Sequence, residues 1–177
     1  MGNFMRNNKL TLFLFITTLF FTGCATVDVT QSSREARGTN GMVASAHPLA
    51  SQVGVDILKA GGNAIDAAVA VGFTLGVVEP NASGIGGGGL MLIWFADSGT
   101  LVFIDSREKA PAAATADMFE LDENGKVKPD KRGLNPVVHG GRAVAVPGEV
   151  AGLLTALGNY GSMSRDQVMK AAIDYAE

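Results

Sequence analysis

The sequence predicts a layered α/β fold, and two features carry that expectation. From Ala67 to Val78 every residue except Thr74 is apolar or glycine. A helix that is apolar on all sides belongs in a core. The second feature is a run, Leu90–Phe95 (LMLIWF), followed by a turn, Ala96–Gly99 (ADSG), and another run, Thr100–Asp105 (TLVFID). The pair reads as a β-hairpin. Neither run alternates apolar with polar, and both faces of Leu90–Phe95 are apolar. The sheet should therefore be covered on both sides, which favours layers over an exposed antiparallel sheet.

The elements follow in chain order. Met1–Leu10 carries Arg6 and Lys9 and no acid, and Leu10–Phe21 is apolar apart from scattered Thr. A basic start and an apolar stretch of about a dozen residues have the length of a signal peptide, short for a bilayer span. Phe21-Thr22-Gly23-Cys24 follows, and Cys24 is the only cysteine. A small residue before a lone Cys resembles a bacterial lipoprotein cleavage box, with Phe21 where that box usually has Leu. The expected division is a signal peptide over 1–23, a polar linker over 24–40, lipid-anchored through Cys24 or free, and a folded part over 41–177. An ordinary cleaved signal peptide is the alternative, and either implies export. One cysteine forms no disulfide within the chain.

Gly41–Ala46 (GMVASA) is a candidate strand, ended by His47-Pro48, and Pro48 suits a helix's first turn. Leu49, Val53, Ile57 and Ala60 share one helical face. Gly61-Gly62 stops that helix, and Asn63 caps the next with Asp66 three residues on. Glu79-Pro80 ends the apolar helix, and Asn81–Gly89 (NASGIGGGG) leads into the hairpin. Ala112–His139 is polar and rich in turn signals, a surface excursion. Gly140–Pro147 is a short strand candidate, Glu149–Leu157 a helix ending at Gly158, and Ser164 caps a last helix, Arg165–Glu177. That helix meets the chain end without a stop signal and reads as part of something longer.

The chain has 177 residues, 47% hydrophobic and 18% charged, enough for one domain with a core. Its net charge of −3, with no basic stripe, argues against nucleic acid. Gly84–Gly89 (GIGGGG) formally matches a dinucleotide fingerprint. That motif needs a strand before it and a helix after it, and here the predicted order is reversed. Arg107, in Asp105-Ser106-Arg107-Glu108, lies just beyond a strand end. Its guanidinium could grip a carboxylate with two parallel hydrogen bonds. On the residues alone, a local ion pair with Asp105, Glu108 or another acid is the simpler reading. His47 and His139 are the only histidines, with no metal-ligand spacing around them. Ser45, Ser51 and Ser83 have no evident activating partner, so the residues reveal no nucleophile.

Five segments in order resemble the gamma-glutamyltransferase (glutathione hydrolase) family. They are Gly41–Ser45 (GMVAS), Gln52–Gly72 (QVGVDILKAGGNAIDAAVAVG), Ser83–Ile93 (SGIGGGGLMLI), Asp105–Pro111 (DSREKAP) and Val146–Gly152 (VPGEVAG). The resemblance covers residues 41–177. It implies a partial four-layer αββα sandwich of the N-terminal nucleophile hydrolase type. It also implies a precursor that cuts itself into two subunits. The small subunit's new N-terminal Thr attacks the gamma-glutamyl amide of glutathione and passes the acyl group to water, an amino acid or a peptide. No cofactor or metal is implied. Arg107 matches the Arg that holds the substrate α-carboxylate, which reverses the simpler reading. Ser106 departs from the aromatic often found there. The catalytic Thr falls in the part not reached, so the chain holds no catalytic residue and should be inactive alone. The implied partners are gamma-glutamyl small molecules, the small subunit and, through Cys24, a membrane. The alternative is a non-catalytic exported lipoprotein that binds carboxylates on the same scaffold.

Overall fold

The structure, a computed structural model, describes residues 36–177. The expected signal peptide (residues 1–23) and Cys24 lie outside the described residues. All elements below belong to one compact unit, Thr39–Glu177.

Four helices and one hairpin make up this unit. Helix α1 is Pro48–Lys59 and α2 is Ala64–Val78. Strands β1, Gly89–Phe95, and β2, Thr100–Ser106, pair antiparallel in a register that sets Gly89 opposite Ser106 and Phe95 opposite Thr100. A short 3₁₀ turn, Gly141–Ala143, precedes α3, Glu149–Tyr160, and α4, Arg165–Ala176. Helix α2 is the hub, packing against α1, α3 and α4, while α3 also lies against both strands.

Local chemistry explains the hub. Asn63 accepts the N–H groups of Ile65 (2.8 Å) and Asp66 (3.0 Å), and the Asp66 carboxylate accepts the Asn63 N–H at 2.7 Å. This reciprocal cap satisfies donors that a helix start leaves free. Val69, Ala70 and Phe73 then carry α2 into the core, where they meet Ile93 of β1, Leu153 of α3 and Val168 of α4. Thr74, the run's one polar residue, is buried with its hydroxyl donating to the Ala70 carbonyl at 2.7 Å.

Several sequence expectations need correction. Gly41–Ala46 forms no strand; its Val43 instead packs against Gly54 of α1. The buried face of α1 is Ala50, Val53 and Gly54, and Leu49 is exposed. Gly158 does not end α3, which continues to Tyr160. In place of a strand at 140–147, the 3₁₀ turn is followed by an isolated bridge from Val146 to Lys109. Most important, the sheet is covered on one face only within the described residues. Met91, Ile93, Val102 and Ile104 face the helices. Leu90, Leu92, Trp94, Leu101 and Phe103 are all about 60% exposed on the other face.

Candidate functional site

Three segments distant in sequence meet at the far end of β2. They are the glycine run 84–89, the corner Ser106–Glu108, and residues 146–152 leading into α3. Gly148 and Glu149 both donate backbone N–H groups to the Gly87 carbonyl, at 2.8 and 3.0 Å. Lys109 and Val146 exchange two backbone hydrogen bonds, at 3.2 and 2.8 Å. The Ser106 hydroxyl donates to the Gly89 carbonyl at 2.8 Å.

Two glycines make this approach possible. A Cβ on Gly88 would stand 2.4 Å from the Ser106 carbonyl oxygen and 2.8 Å from Arg107 Cα. One on Gly148 would stand 2.2 Å from that same oxygen. These distances are shorter than non-bonded atoms allow, so the backbones close on the corner only because neither position carries a side chain. The glycine run thus serves chain packing, and β1 follows it directly. The dinucleotide reading, which needs a helix there, fails.

The corner presents Arg107 outward. Its backbone N–H donates to Asp105 Oδ1 at 3.0 Å. Its Nε pairs with Glu108 Oε2 at 3.2 Å, and its side chain is 65% exposed. The local ion pair expected from the residues alone is therefore present, with Glu108 as its carboxylate. It does not oppose a clamp role. A single surface contact of this kind contributes about 0–1 kcal/mol, and through Nε it leaves the two terminal nitrogens to meet a ligand carboxylate.

Two clefts flank the corner. One, of about 550 Å³, is bounded by the glycine run, Ser83, Glu108 and Glu149. The other, of about 330 Å³, is lined by Arg107, Lys109, Pro147, Gly152 and Thr155. Ser106 lines the smaller cleft and packs against Gly152 of α3. In the sequence Glu149 stands out only as a helix start, but it lines the larger cleft. Burial, and then the nearby negative charge of Glu108, push its pKa upward. Its signal in the sequence was a carboxylate directly after Pro147-Gly148, at the positive end of a helix.

The other candidates do not assemble into a nucleophile. His47 Nδ1 accepts the Leu49 N–H at 3.2 Å and so caps α1. Ser45 shares a hydrogen bond with Ser51 at 2.7 Å. Ser83 lines the larger cleft. Among the described residues no group of three His, Cys, Asp or Glu side chains could hold a metal.

Residues 50–177 match the family model described as Gamma-glutamyltranspeptidase. The chain belongs to that family. Within it, the chain is 54% identical over 140 residues to the Glutathione hydrolase proenzyme of Bacillus subtilis (strain 168), a match covering 79% of this chain and 23% of that protein. It is 50% identical over 152 residues to the Acylase ACY 1 proenzyme of Pseudomonas sp. (strain V22), covering 85% and 27% respectively. Among solved structures, the Helicobacter pylori gamma-glutamyltranspeptidase aligns with a TM-score of 0.72 and 46% identity, over 81% of this chain and 39% of that one. The chain thus spans about a quarter of the length of these two curated relatives. The partial α/β fold is that of the N-terminal nucleophile hydrolases in this family.

Proposed function

We propose that this chain supplies the N-terminal part of the large subunit of a gamma-glutamyltransferase. Such an enzyme cleaves the gamma-glutamyl amide of glutathione and related compounds and passes the acyl group to water, amino acids or peptides. In this reading the nucleophile is an N-terminal Thr outside this chain, carried by the small subunit. The residues present here provide scaffold and the α-carboxylate clamp, and alone they turn over no substrate.

The observation that best supports the reading is Arg107. The glycine-built corner holds its backbone in place while its guanidinium is exposed beside a cleft. A gamma-glutamyl donor carries an α-carboxylate at the end remote from the scissile amide. Holding that carboxylate fixes the amide relative to the nucleophile. The test uses the complete precursor. Arg107→Ala should raise KM for a gamma-glutamyl anilide by at least about ten-fold, since truncating one partner of a hydrogen-bonded charge pair costs about 2–5 kcal/mol where the pair is buried. An unchanged KM would overturn the assignment.

The acylase relative supports a second reading, hydrolysis of a different amide on the same scaffold. The two separate cleanly. If the substrate lacks an α-carboxylate, Arg107→Ala should leave its turnover untouched while the gamma-glutamyl activity falls.

We also place the protein outside the cytoplasm, on the basic then apolar residues 1–23 and the lone Cys24 that follows. Among the described residues no helix is long and apolar enough to cross a membrane, and the attachment proposed is through Cys24. Palmitate labelling of the wild type, lost in Cys24→Ala, is the expected result. An unlabelled wild type found in the soluble periplasmic fraction would leave an ordinary signal peptide.

A further inference from the structure

The clamp reading leaves Glu149 without a role. This carboxylate stands at the first position of α3, on the rigid end of a helix whose own N–H is bonded to Gly87. Its Oε2 lies 2.6 Å from the point a Gly89 Cβ would occupy, so it reaches over the glycine run. It shares the larger cleft with Glu108. What acts on it there is burial and the like charge of Glu108.

Glu108 connects this cleft to Arg107. Its Oε1 lies 3.4 Å from the Cβ position of Gly87, and its Oε2 is on Arg107 Nε. Its carboxylate thus stands between the glycine run and the guanidinium, and a turn further inward would carry it into the cleft it shares with Glu149. A second negative charge inside the cleft disfavours the inward position, because like charges at short range in a partly desolvated space repel.

We propose that Glu149 is a positioning residue for Arg107. Its carboxylate, fixed on α3, keeps Glu108 turned onto Arg107 Nε, and that contact aims the two terminal nitrogens at the carboxylate of an α-amino-acid substrate. The inference rests on the reading of Arg107 as the clamp. It accounts for two acids standing beside an anion-binding arginine. One braces the guanidinium from behind, and the other keeps the brace from leaving. A long exposed side chain braced before binding loses less freedom when the substrate arrives.

Steady-state kinetics on the complete enzyme test this with a gamma-glutamyl anilide. Glu149→Gln keeps the shape and removes the charge. It should raise KM by roughly 2- to 5-fold, the most that a surface ion pair of up to about 1 kcal/mol can return, and should change kcat by less than about two-fold. Glu149→Asp keeps the charge and should bring KM back to within about 1.5-fold of wild type, well inside what the full ion pair can return. In a Glu108→Gln background, Glu149→Gln should have no further effect, because the residue acts through Glu108. A wild-type KM in Glu149→Gln, or effects of the two Gln substitutions that simply add, would overturn the proposal. Arg107→Ala in the same assay separates the two readings. An unchanged KM there removes the clamp itself. A raised KM there with a wild-type KM in Glu149→Gln removes only the positioning role. Should Glu149→Gln yield no folded enzyme, Glu149→Asp decides alone, since a KM raised well beyond that margin despite the retained charge would overturn the proposal.

Discussion

Asp66 shows at the scale of one residue how a polar group can sit in a core. It is fully buried, yet its carboxylate accepts from four donors: the Asn63 N–H, the Ser162 N–H and hydroxyl, and the Met163 N–H. Burial pushes its pKa up, but these hydrogen bonds together outweigh burial and hold it below the usual carboxylate value. The carboxylate therefore caps α2 and also pins the loop between α3 and α4. A group whose folded pKa is depressed contributes stability that is present above the unfolded pKa, about 3.9, and is lost as pH falls through the folded value. Asp66→Asn should destabilise the protein at pH 7 by about 1–3 kcal/mol, since donors lose a charged acceptor. The difference from wild type should shrink steadily in denaturant melts as pH drops below about 4. A gap constant from pH 7 to pH 3 would show that the charge contributes nothing. The near half of this device could be read in the sequence, because Asn63 and Asp66 are three residues apart. The far half could not, because Ser162 lies 96 positions away and joins only through the packing of α4 on α2.

At the scale of elements, the sequence was informative where local pattern decides and silent where approach decides. The apolar run of α2, the hairpin, the Asn63–Asp66 capping box and the Ser164 cap follow from spacing and side-chain chemistry, and all form. Gly158 misled because glycine after an apolar stretch often caps a helix. Here its backbone is not left-handed, and α3 runs on until Gly161, whose N–H bonds back to the Leu157 carbonyl at 2.8 Å. The corner itself was readable as residues but not as a place. Arg107 stood out by type and position, whereas Glu149 acquires meaning only when α3 is docked against the glycine run. Two glycines of this region make opposite predictions. Gly148→Ala sets a Cβ against the Ser106 carbonyl and must push α3 off the corner, costing about 1–3 kcal/mol of stability. It should also raise KM for gamma-glutamyl substrates. Gly158→Ala meets nothing within 4 Å in an exposed stretch of α3, and should stabilise by about 0.5–1 kcal/mol with kinetics unchanged. Thermal melts of the two variants in the complete enzyme check both signs; equal shifts would mean that the corner tolerates a side chain at 148.

For the molecule as a whole, the decisive feature is the sheet's uncovered face. Leu90, Leu92 and Trp94 of β1 stand beside Leu101 and Phe103 of β2, and none of the five is covered within residues 36–177. Burying a large apolar side chain is worth about 1.5–3 kcal/mol, so a face of this kind is unfavourable in water and open to association. The sequence anticipated apolar cover on both sides of the sheet, and the helices supply one side. Under the function proposed above, the rest of the large subunit and the small subunit would cover the other. Trp94 makes this measurable, since it is the only tryptophan in the chain and sits in that face. Residues 36–177 expressed alone should aggregate or bind a hydrophobic dye, with Trp94 emission at the wavelength of a solvated indole. Co-expressed with the rest of the precursor, the same segment should be soluble, its Trp94 emission blue-shifted and shielded from iodide. Trp94→Lys should block that assembly while leaving the helical core, which lies on the opposite face, able to fold. A monodisperse, cooperatively melting 36–177 whose Trp94 emission is the same with and without the remainder would mean that this face is not where the two parts join.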